Sequence, residues 1–343
     1  MKNMNFKRKL PVPKEIKERY PLTAGLAARM AARDREITDI ITGKSDRMAL
    51  IVGPCSADRE DAVLEYCERL ALLQEQVKDR LLLIPRVYTN KPRTTGEGYK
   101  GLLHQPDPEG REDMLEGVIA IRRLHTNVLA STGLSTADEM LYPDDYRYIS
   151  DLLSYAAVGA RSVENQEHRL TASGLGIPVG MKNPTSGDIS VMLNAISAAQ
   201  RAHTFIYRGW EVETTGNELA HAILRGYVNR HGEALPNYHY EDLELLHRAY
   251  TARGLKHPAL IVDTNHSNSN KQYAEQPRIC KEVLYACRHS DEIRKLVKGF
   301  MIESYLEPGC QKIGQHIYGK SITDPCLVWN DTERLIKDIA ELV

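Results

Sequence analysis

Four residues scattered through this 343-residue chain carry side chains suited to binding a metal ion. They are a thiol, an imidazole and two carboxylates, at Cys55, His266, Glu303 and Asp324. This donor set suits a borderline divalent ion such as manganese, iron, cobalt or zinc, whereas magnesium gains little from sulfur. Each residue also has an ordinary explanation, as a buried thiol, a loop histidine, a solvated acid or a helix cap, because the long spacings carry no metal signature. The metal hypothesis therefore depends on whether the fold brings the four together.

A second set of residues is cationic and could hold an anionic substrate. It comprises Arg86, Lys91, Arg93, Arg161, Lys182 and Arg225. Single surface lysines and arginines are usually just solvated. Several around one cavity repel one another unless an anion compensates, and both residue types suit phosphate and carboxylate groups. A metal beside such a pocket suits Lewis-acid chemistry on a carbonyl, which favours an aldol-like condensation of phosphorylated small molecules.

Both sets lie almost entirely at or near the ends of short apolar runs, which are typical of β-strands. We predict eight strands, at Met48–Val52, Leu81–Ile84, near Leu134, and at Ala156–Ala160, Ile177–Met181, Thr204–Tyr207, Leu260–Val262 and Phe300–Ile302. Apolar residues at helical spacing predict helices at Ala62–Leu73, Met114–Leu124, Tyr146–Ala156, Val191–Ala202, Cys280–Cys287 and Thr332–Val343.

Short apolar strands that alternate with helices indicate an α/β fold with a parallel sheet covered on both faces. Eight such repeats fit a (β/α)8 TIM barrel, in which active sites form at the C-terminal ends of the strands. An open doubly wound sheet is the alternative, although no Gly-x-Gly-x-x-Gly follows the first strand. We assign residues 46–343 to the catalytic barrel and residues 1–45 to an N-terminal extension with a helix from Ala24 to Ile41, serving as an interface or a regulatory element.

Bulk composition narrows the classes of partner. With 42% hydrophobic residues and a net charge of −1, the chain can bury a large core and has no excess of positive charge for nucleic acid. No apolar segment has membrane length, and the N-terminal residues lack the apolar core of a signal peptide. The six cysteines form no C-x-x-C pair. We therefore expect a cytoplasmic protein that binds neither nucleic acid nor membrane.

Seven blocks of sequence together resemble the type I alpha class of 3-deoxy-D-arabino-heptulosonate 7-phosphate (DAHP) synthases. The blocks are Gly53-Pro54-Cys55-Ser56, Lys91-Pro92-Arg93-Thr94-Thr95, Gly159-Ala160-Arg161-Ser162, Pro178-Val179-Gly180-Met181-Lys182-Asn183, Ile223-Leu224-Arg225-Gly226, Asp263-Thr264-Asn265-His266-Ser267-Asn268 and Tyr318-Gly319-Lys320-Ser321-Ile322-Thr323-Asp324. They follow the family's order from about residue 15 to the C-terminus. The family condenses phosphoenolpyruvate with erythrose 4-phosphate and releases phosphate, as the first step of the shikimate pathway to aromatic amino acids.

The resemblance implies a role for each candidate residue. It implies that Cys55, His266, Glu303 and Asp324 bind the divalent metal ion. It further implies that phosphoenolpyruvate is held by Arg86, Lys91, Arg161, Lys182 and Arg225, and the sugar phosphate by Arg93 and Thr94. Glu139 is expected to face phosphoenolpyruvate as an acidic or water-positioning group.

Lys91, Cys55 and His266 are the residues that we expect to be catalytic. We choose Lys91 to protonate the alkoxide that forms from the aldehyde, with neighbouring cations lowering its pKa. The arginines position substrate and offset charge, because a guanidinium does not release a proton at working pH.

Two other functions compete with this reading. A 3-deoxy-octulosonate 8-phosphate synthase shares the barrel, phosphoenolpyruvate and the metal position, but takes a five-carbon sugar phosphate; Lys91-Pro92-Arg93-Thr94 favours the four-carbon aldose. A non-catalytic barrel that senses phosphorylated metabolites would bind ligand without turnover. The family resemblance also implies a homodimer or homotetramer and inhibition by an aromatic amino acid, whose identity cannot be read from residues 140–151.

Overall fold

Twelve strands are present in the computed structural model, which describes residues 2–343. In chain order they are β1 (Met48–Gly53), β2 (Leu81–Pro85), β3 (Thr136–Glu139), β4 (Leu153–Val158), β5 (Val179–Lys182), β6 (Thr204–Tyr207), β7 (Trp210–Glu213), β8 (Ala220–Leu224), β9 (Tyr227–Val228), β10 (Ala234–Leu235), β11 (Leu260–Asp263) and β12 (Val297–Glu303). Eight of them form one parallel sheet in the order β2, β1, β12, β11, β8, β5, β4, β3. A parallel bridge from Arg86 to Ala137 joins the two edge strands. The predicted (β/α)8 barrel is thereby confirmed.

Helices cover the outside of the barrel and precede its first strand. They are α1 (Pro13–Arg19), α2 (Ala24–Ile41), α3 (Glu60–Val77), α4 (Met114–Thr132), α5 (Pro143–Tyr146), α6 (Gln166–Ala172), α7 (Ile189–Ala199), α8 (Tyr240–Ala252), α9 (Gln276–His289), α10 (Asp291–Leu296) and α11 (Trp329–Leu342), with a 3₁₀ turn at Tyr273–Glu275. Several begin at a residue whose side chain accepts a free backbone N–H, as Asp113 does for α4 and Asp188 for α7. No described helix has the length and apolar character needed to cross a membrane.

The strands are apolar along their length because both of their faces are buried. In β1, Leu50 and Val52 belong to the core between barrel and helices, whereas Ala49 and Ile51 belong to a second core inside the barrel. Successive side chains of a strand point to opposite faces, so a strand buried on both sides has no polar alternation. This explains why short continuous apolar runs predicted most of the barrel.

Helix α2 contributes to the interior of the barrel. Its side chains Ile37, Ile40 and Ile41 are at most 1% exposed and belong to the inner core. The preceding segment is held by Arg122 of α4, whose Nε donates to the carbonyl of Tyr20 at 2.7 Å. The predicted helix from Ala24 to Ile41 is confirmed, while the interface or regulatory role of the extension stays a prediction.

Two elements predicted from apolar patterns are wrong. Thr204–Tyr207 is not a barrel strand: it pairs antiparallel with β7 in an outer hairpin and its residues alternate between exposed and half-buried. The sixth barrel strand is β8, whose five residues are all buried. The predicted helix Tyr146–Ala156 is also wrong, because the chain there leaves the short α5 and enters β4. In both places a short apolar run fits more than one element, and tertiary packing decides.

Candidate active site

The C-terminal ends of the barrel strands surround a cavity of about 240 Å³, which is lined by nearly all of the predicted site residues. The predicted residues in its lining are Cys55, Arg86, Lys91, Arg93, Thr94, Glu139, Arg161, Lys182, Arg225, His266 and Asp324. Glu303 ends β12 and is 1% exposed, and it lies against Arg86 beneath the cavity surface. Residues far apart in sequence thus meet because parallel strands end at the same side of the barrel.

Three of the four predicted metal ligands form a compact group. One ligand atom each from Cys55, Glu303 and Asp324 lies within 4.8 Å of the other two. A thiol and two carboxylates at this spacing fit a divalent ion that accepts sulfur. Burial, followed by the charge of Glu303, raises the pKa of the Cys55 thiol to about 12. The three residues therefore fit a metal ion by their donor types and by their mutual distances.

His266, the fourth predicted ligand, stands beside this group rather than in it. Its Nδ1 lies 2.8 Å from Oδ2 of Asp263, a buried residue at the end of β11. The charges of His266, Lys182 and Arg225 together outweigh burial and hold the pKa of Asp263 well below its ordinary value. A contact between Asp263 and Nδ1 leaves the other ring nitrogen, Nε2, as the atom available to a metal.

The Lys91 ammonium lies beside two of the predicted metal ligands. Its Nζ is 2.7 Å from Cys55 Sγ and 3.0 Å from Asp324 Oδ2. Burial alone would lower the pKa of Lys91, but the charges of Cys55, Asp324 and Glu303 outweigh it and raise that pKa. Our prediction of a lowered pKa is therefore wrong, because the nearest charged groups are anions and not the neighbouring cations.

Two arginines that line the cavity, Arg161 and Arg225, form no ion pair with a carboxylate among the described residues. The guanidinium of Arg225 is half-buried and makes no hydrogen bond within residues 2–343. Burial lowers the pKa of Arg225, and the nearby charge of Arg161 lowers it further. Lys182 Nζ, in contrast, lies 3.4 Å from Glu139 Oε2 and 3.7 Å from Asp263 Oδ2. An arginine whose charge is disfavoured by a second arginine beside it indicates a site for an anion.

Arg86 is held more tightly than the other cations. It is 2% exposed, donates to Glu303 Oε1 at 2.9 Å and also to the carbonyls of Pro54 and Cys55. The absence of a side chain at Gly53 lets the Arg86 backbone lie close to the end of β1, since a Cβ there would come within 2.4 Å of the Arg86 carbonyl oxygen. Arg86 therefore stabilises both the Cys55 backbone and the Glu303 carboxylate.

The loop after β2 carries Arg93 and Thr94 to the mouth of the cavity. Arg93 Nε donates to the carbonyl of Tyr99 at 2.9 Å, and Arg161 Nε donates to the Thr94 hydroxyl at 2.9 Å. The second contact joins the predicted sugar-phosphate loop to a predicted phosphoenolpyruvate ligand. The residues predicted to hold the two substrates are thus adjacent, as a bond-forming reaction between two substrates requires.

Three further residues of this region were not among the predicted site residues. Asp263 pairs with His266, Asn265 Nδ2 donates to Glu303 Oε2, and Lys271 Nζ lies 2.8 Å from Asp324 Oδ1. Asp263 ends the buried strand β11 and Asn265 lies two residues beyond it, and that position was a usable signal. Lys271 lies farther along an irregular loop, and no feature of the sequence connected it to Asp324.

Comparisons with known proteins agree with this geometry. The chain matches the DAHP synthetase I family over residues 20–337. It is 39% identical over 339 residues to the Tyr-sensitive phospho-2-dehydro-3-deoxyheptonate aldolase of Escherichia coli strain K12, covering 96% of this chain and 92% of that one. It is 38% identical over 342 residues to the Trp-sensitive enzyme of Enterobacter agglomerans, covering 97% and 95%.

A solved structure extends the likeness to three dimensions. The phospho-2-dehydro-3-deoxyheptonate aldolase of Francisella tularensis SCHU S4 superposes with a TM-score of 0.92 at 31% identity, covering 99% of this chain and 98% of the other. The match therefore includes both the barrel and the segment before β1. From its sequence, its fold and the residues gathered in its cavity, the chain belongs to the DAHP synthetase I family and is an enzyme of the 3-deoxy-7-phosphoheptulonate synthase class.

Proposed function

We propose that this enzyme condenses phosphoenolpyruvate with erythrose 4-phosphate to give 3-deoxy-D-arabino-heptulosonate 7-phosphate and phosphate, in a reaction that depends on a divalent metal ion. The observation that carries the proposal is one cavity in which Arg161, Lys182 and Arg225 adjoin the thiol of Cys55 and the carboxylate of Asp324. A cluster of cations selects substrates with phosphate and carboxylate groups. The adjoining thiol and carboxylates select a metal.

Cys55, Glu303 and Asp324 would hold the ion, with His266 as the fourth ligand. When bound, a divalent ion supplies Lewis acidity that polarises the carbonyl of the aldehyde substrate. Manganese, iron, cobalt and zinc all accept this mixed donor set. Since burial raises the pKa of the Cys55 thiol to about 12, its binding to a metal as a thiolate would release a proton.

The cations fix the two substrates relative to each other. We assign the phosphate and carboxylate of phosphoenolpyruvate to Arg161, Lys182 and Arg225, with Arg86 as electrostatic support. Arg93 and Thr94 hold the phosphate of erythrose 4-phosphate at the cavity mouth. Binding both phosphates leaves the reacting carbons little freedom, which lowers the entropic cost of their meeting.

Lys91 supplies a proton where negative charge develops. A bond forms between C3 of phosphoenolpyruvate and the aldehyde carbon, and the aldehyde oxygen takes a proton from Lys91, whose raised pKa keeps it an ammonium beforehand. Water then adds at C2, and phosphate leaves as the C–O bond breaks. We assign to Glu139, which lies against Lys182, the role of accepting a hydrogen bond from that water.

One assay tests the proposal directly. Metal-free protein is supplied with manganese under anaerobic conditions and offered phosphoenolpyruvate with either erythrose 4-phosphate or a five-carbon aldose phosphate. We expect phosphate release and a seven-carbon product with the first aldose only. Preference for the five-carbon aldose would indicate an octulosonate synthase, and substrate binding without turnover would indicate a sensor; either result overturns the proposal.

Three further expectations accompany the proposed function. The relatives named Tyr-sensitive and Trp-sensitive lead us to expect inhibition by an aromatic amino acid, which titration of each one in the same assay tests. A homodimer or homotetramer and a cytoplasmic location stay predictions. Light scattering of the purified protein tests the subunit number.

A further inference from the structure

A buried polar cluster lies directly behind the cavity wall. Asp138 in β3, Thr89 in the loop after β2 and His125 in α4 are 2%, 0% and 0% exposed. Asp138 Oδ1 accepts the N–H of Thr89 at 3.0 Å and that of Glu139 at 2.7 Å, while Oδ2 accepts the Thr89 hydroxyl. His125 Nε2 lies 3.4 Å from the same Oδ2, and its Nδ1 lies 2.7 Å from Thr136 Oγ1. A buried carboxylate is costly unless hydrogen-bonded, so the position requires all of these partners.

The cluster lies at the seam where the barrel closes. Within residues 2–343, β2 and β3 are joined by one isolated bridge, between Arg86 and Ala137, and Val87 N–H donates to the Ala137 carbonyl at 2.9 Å. Two residues further on, Thr89 N–H donates to the side chain of Asp138 and not to a backbone carbonyl. The Asp138 carboxylate therefore continues the seam beyond the last backbone hydrogen bond between these segments.

This carboxylate fixes the backbone of one cavity residue, Glu139, and of the segment that leads to a second, Lys91. Thr89 lies two residues before Lys91, whose Nζ is 2.7 Å from Cys55 Sγ. Glu139 follows Asp138 directly, and its own N–H is held by the same carboxylate. Loss of the carboxylate would free the segment that leads to Lys91 from β3.

We propose that Asp138 is a positioning residue for the condensation, which sets Lys91 and Glu139 relative to each other across the β2–β3 seam while His125 orients its carboxylate. The inference rests on the proposed function, because the residue positioned is the one that protonates the alkoxide. Asp138 itself reaches the reaction only through Thr89 and Glu139. A displacement of about 1 Å at a reacting group can lower turnover by about a hundredfold.

The test compares Asp138→Ala with Asp138→Asn in the metal-loaded full-length protein. We expect Asp138→Ala to lower kcat between about tenfold and about a hundredfold, with metal content unchanged. It should also speed hydrogen exchange at the Thr89 amide. Asp138→Asn keeps an oxygen that accepts the Thr89 N–H, so it should recover kcat to within about threefold of wild type.

The matched control is Asp151→Ala, which removes the bidentate partner of Arg122, another buried residue of α4. It should lower the unfolding temperature and leave kcat unchanged.

Three results would overturn the inference. They are an unchanged kcat in Asp138→Ala, a loss of kcat equal to that of Asp151→Ala, or no recovery in a folded Asp138→Asn. If Asp138→Ala does not fold, Thr89→Val removes the hydroxyl contact alone and should still lower kcat by at least about threefold; an unchanged kcat in that variant also overturns it. Absence of condensation in the wild type would instead refute the proposed function, while the exchange rate at Thr89 would still report on positioning.

Discussion

Individual side chains in the cavity have protonation states set by their immediate neighbours. Lys91 keeps its charge because Cys55 and Asp324 lie within hydrogen-bonding distance, and Arg225 has its pKa lowered by burial and by Arg161. The positive charge of Lys91 is balanced by a carboxylate in contact with it, whereas that of Arg225 has no such partner among the described residues. Substitutions at these two places should therefore have different consequences for metal and for substrate.

Arg161→Ala should weaken phosphoenolpyruvate binding and leave the metal in place. Arg161 lines the cavity but makes no hydrogen bond to Cys55, Glu303 or Asp324. Its loss should therefore remove a group that binds the anionic substrate and leave the metal-binding residues unchanged. Removing a charge-assisted contact of this kind costs about 1.5–3 kcal/mol, which is a rise in KM of about tenfold to a hundredfold. Steady-state kinetics with metal analysis checks this, with the exposed Arg201→Ala as control. Loss of metal in Arg161→Ala would contradict the assignment.

Asp58→Asn should stabilise the protein relative to wild type at neutral pH but not at acid pH. Asp58 is 5% exposed and accepts a hydrogen bond from the Tyr305 hydroxyl at 3.1 Å, yet burial raises its pKa to about 6. The Asp58 carboxyl therefore keeps its proton to a higher pH in the folded protein than in the unfolded chain. As the pH rises from about 4 to about 6, loss of that proton lowers the free energy of unfolding of the wild type.

An amide does not ionise, so the substitution should gain at most about 3 kcal/mol above about pH 6 and nothing below about pH 4. Urea unfolding of both proteins at about pH 4 and about pH 7 measures the difference. Equal differences at the two pH values would mean that the pKa of Asp58 is ordinary in the folded protein.

Secondary-structure elements differ in how much of the fold depends on them. Helix α2 places three isoleucines in the core inside the barrel, although it precedes the first strand. The outer hairpin of β6 and β7, in contrast, exposes 83% of Ile206 and 74% of Trp210. The helix is therefore part of the barrel's packing, and the hairpin is not.

Ile40→Ala should destabilise the protein, by about 2–5 kcal/mol, because it leaves a cavity in a core that cannot close around it. Ile206→Ala is the matched control and should change stability by less than about 0.5 kcal/mol. Urea unfolding measures both, and turnover per folded molecule should stay unchanged in each. Similar losses of stability in the two variants would show that the packing of α2 inside the barrel contributes little to stability.

For the molecule as a whole, metal binding should be coupled to stability. The proposed ligands come from the loop after β1, from the loop after β11, from the end of β12 and from the loop beyond it, so a bound ion would connect distant parts of the chain. At a free metal concentration of about 100 times the dissociation constant, the folded state should gain about 2.7 kcal/mol.

Thermal unfolding with and without manganese measures this gain. Cys55→Ala should lose metal content, turnover and the thermal shift together, whereas Cys67→Ala, at another buried cysteine, should keep all three. Full metal content and activity in Cys55→Ala would refute the ligand assignment.

The sequence by itself determined the barrel and most of the residues around its cavity. Buried parallel strands require short apolar runs, and their common C-terminal end explains how Cys55, Lys182 and Asp324 meet. Local pattern was also enough for α2, whose predicted limits agree with the structure.

Only the tertiary structure decided the sixth barrel strand, the direction of the Lys91 pKa shift and the buried contacts of Asp138. Thr204–Tyr207 and Ala220–Leu224 are both short apolar runs, and what separates them is which one has neighbours on both edges. The pKa of Lys91 depends on distances of about 3 Å to Cys55 and Asp324, which no spacing along the chain encodes. Coulombic and hydrogen-bond energies depend on separations in space, so they become readable only when the strands have been brought together.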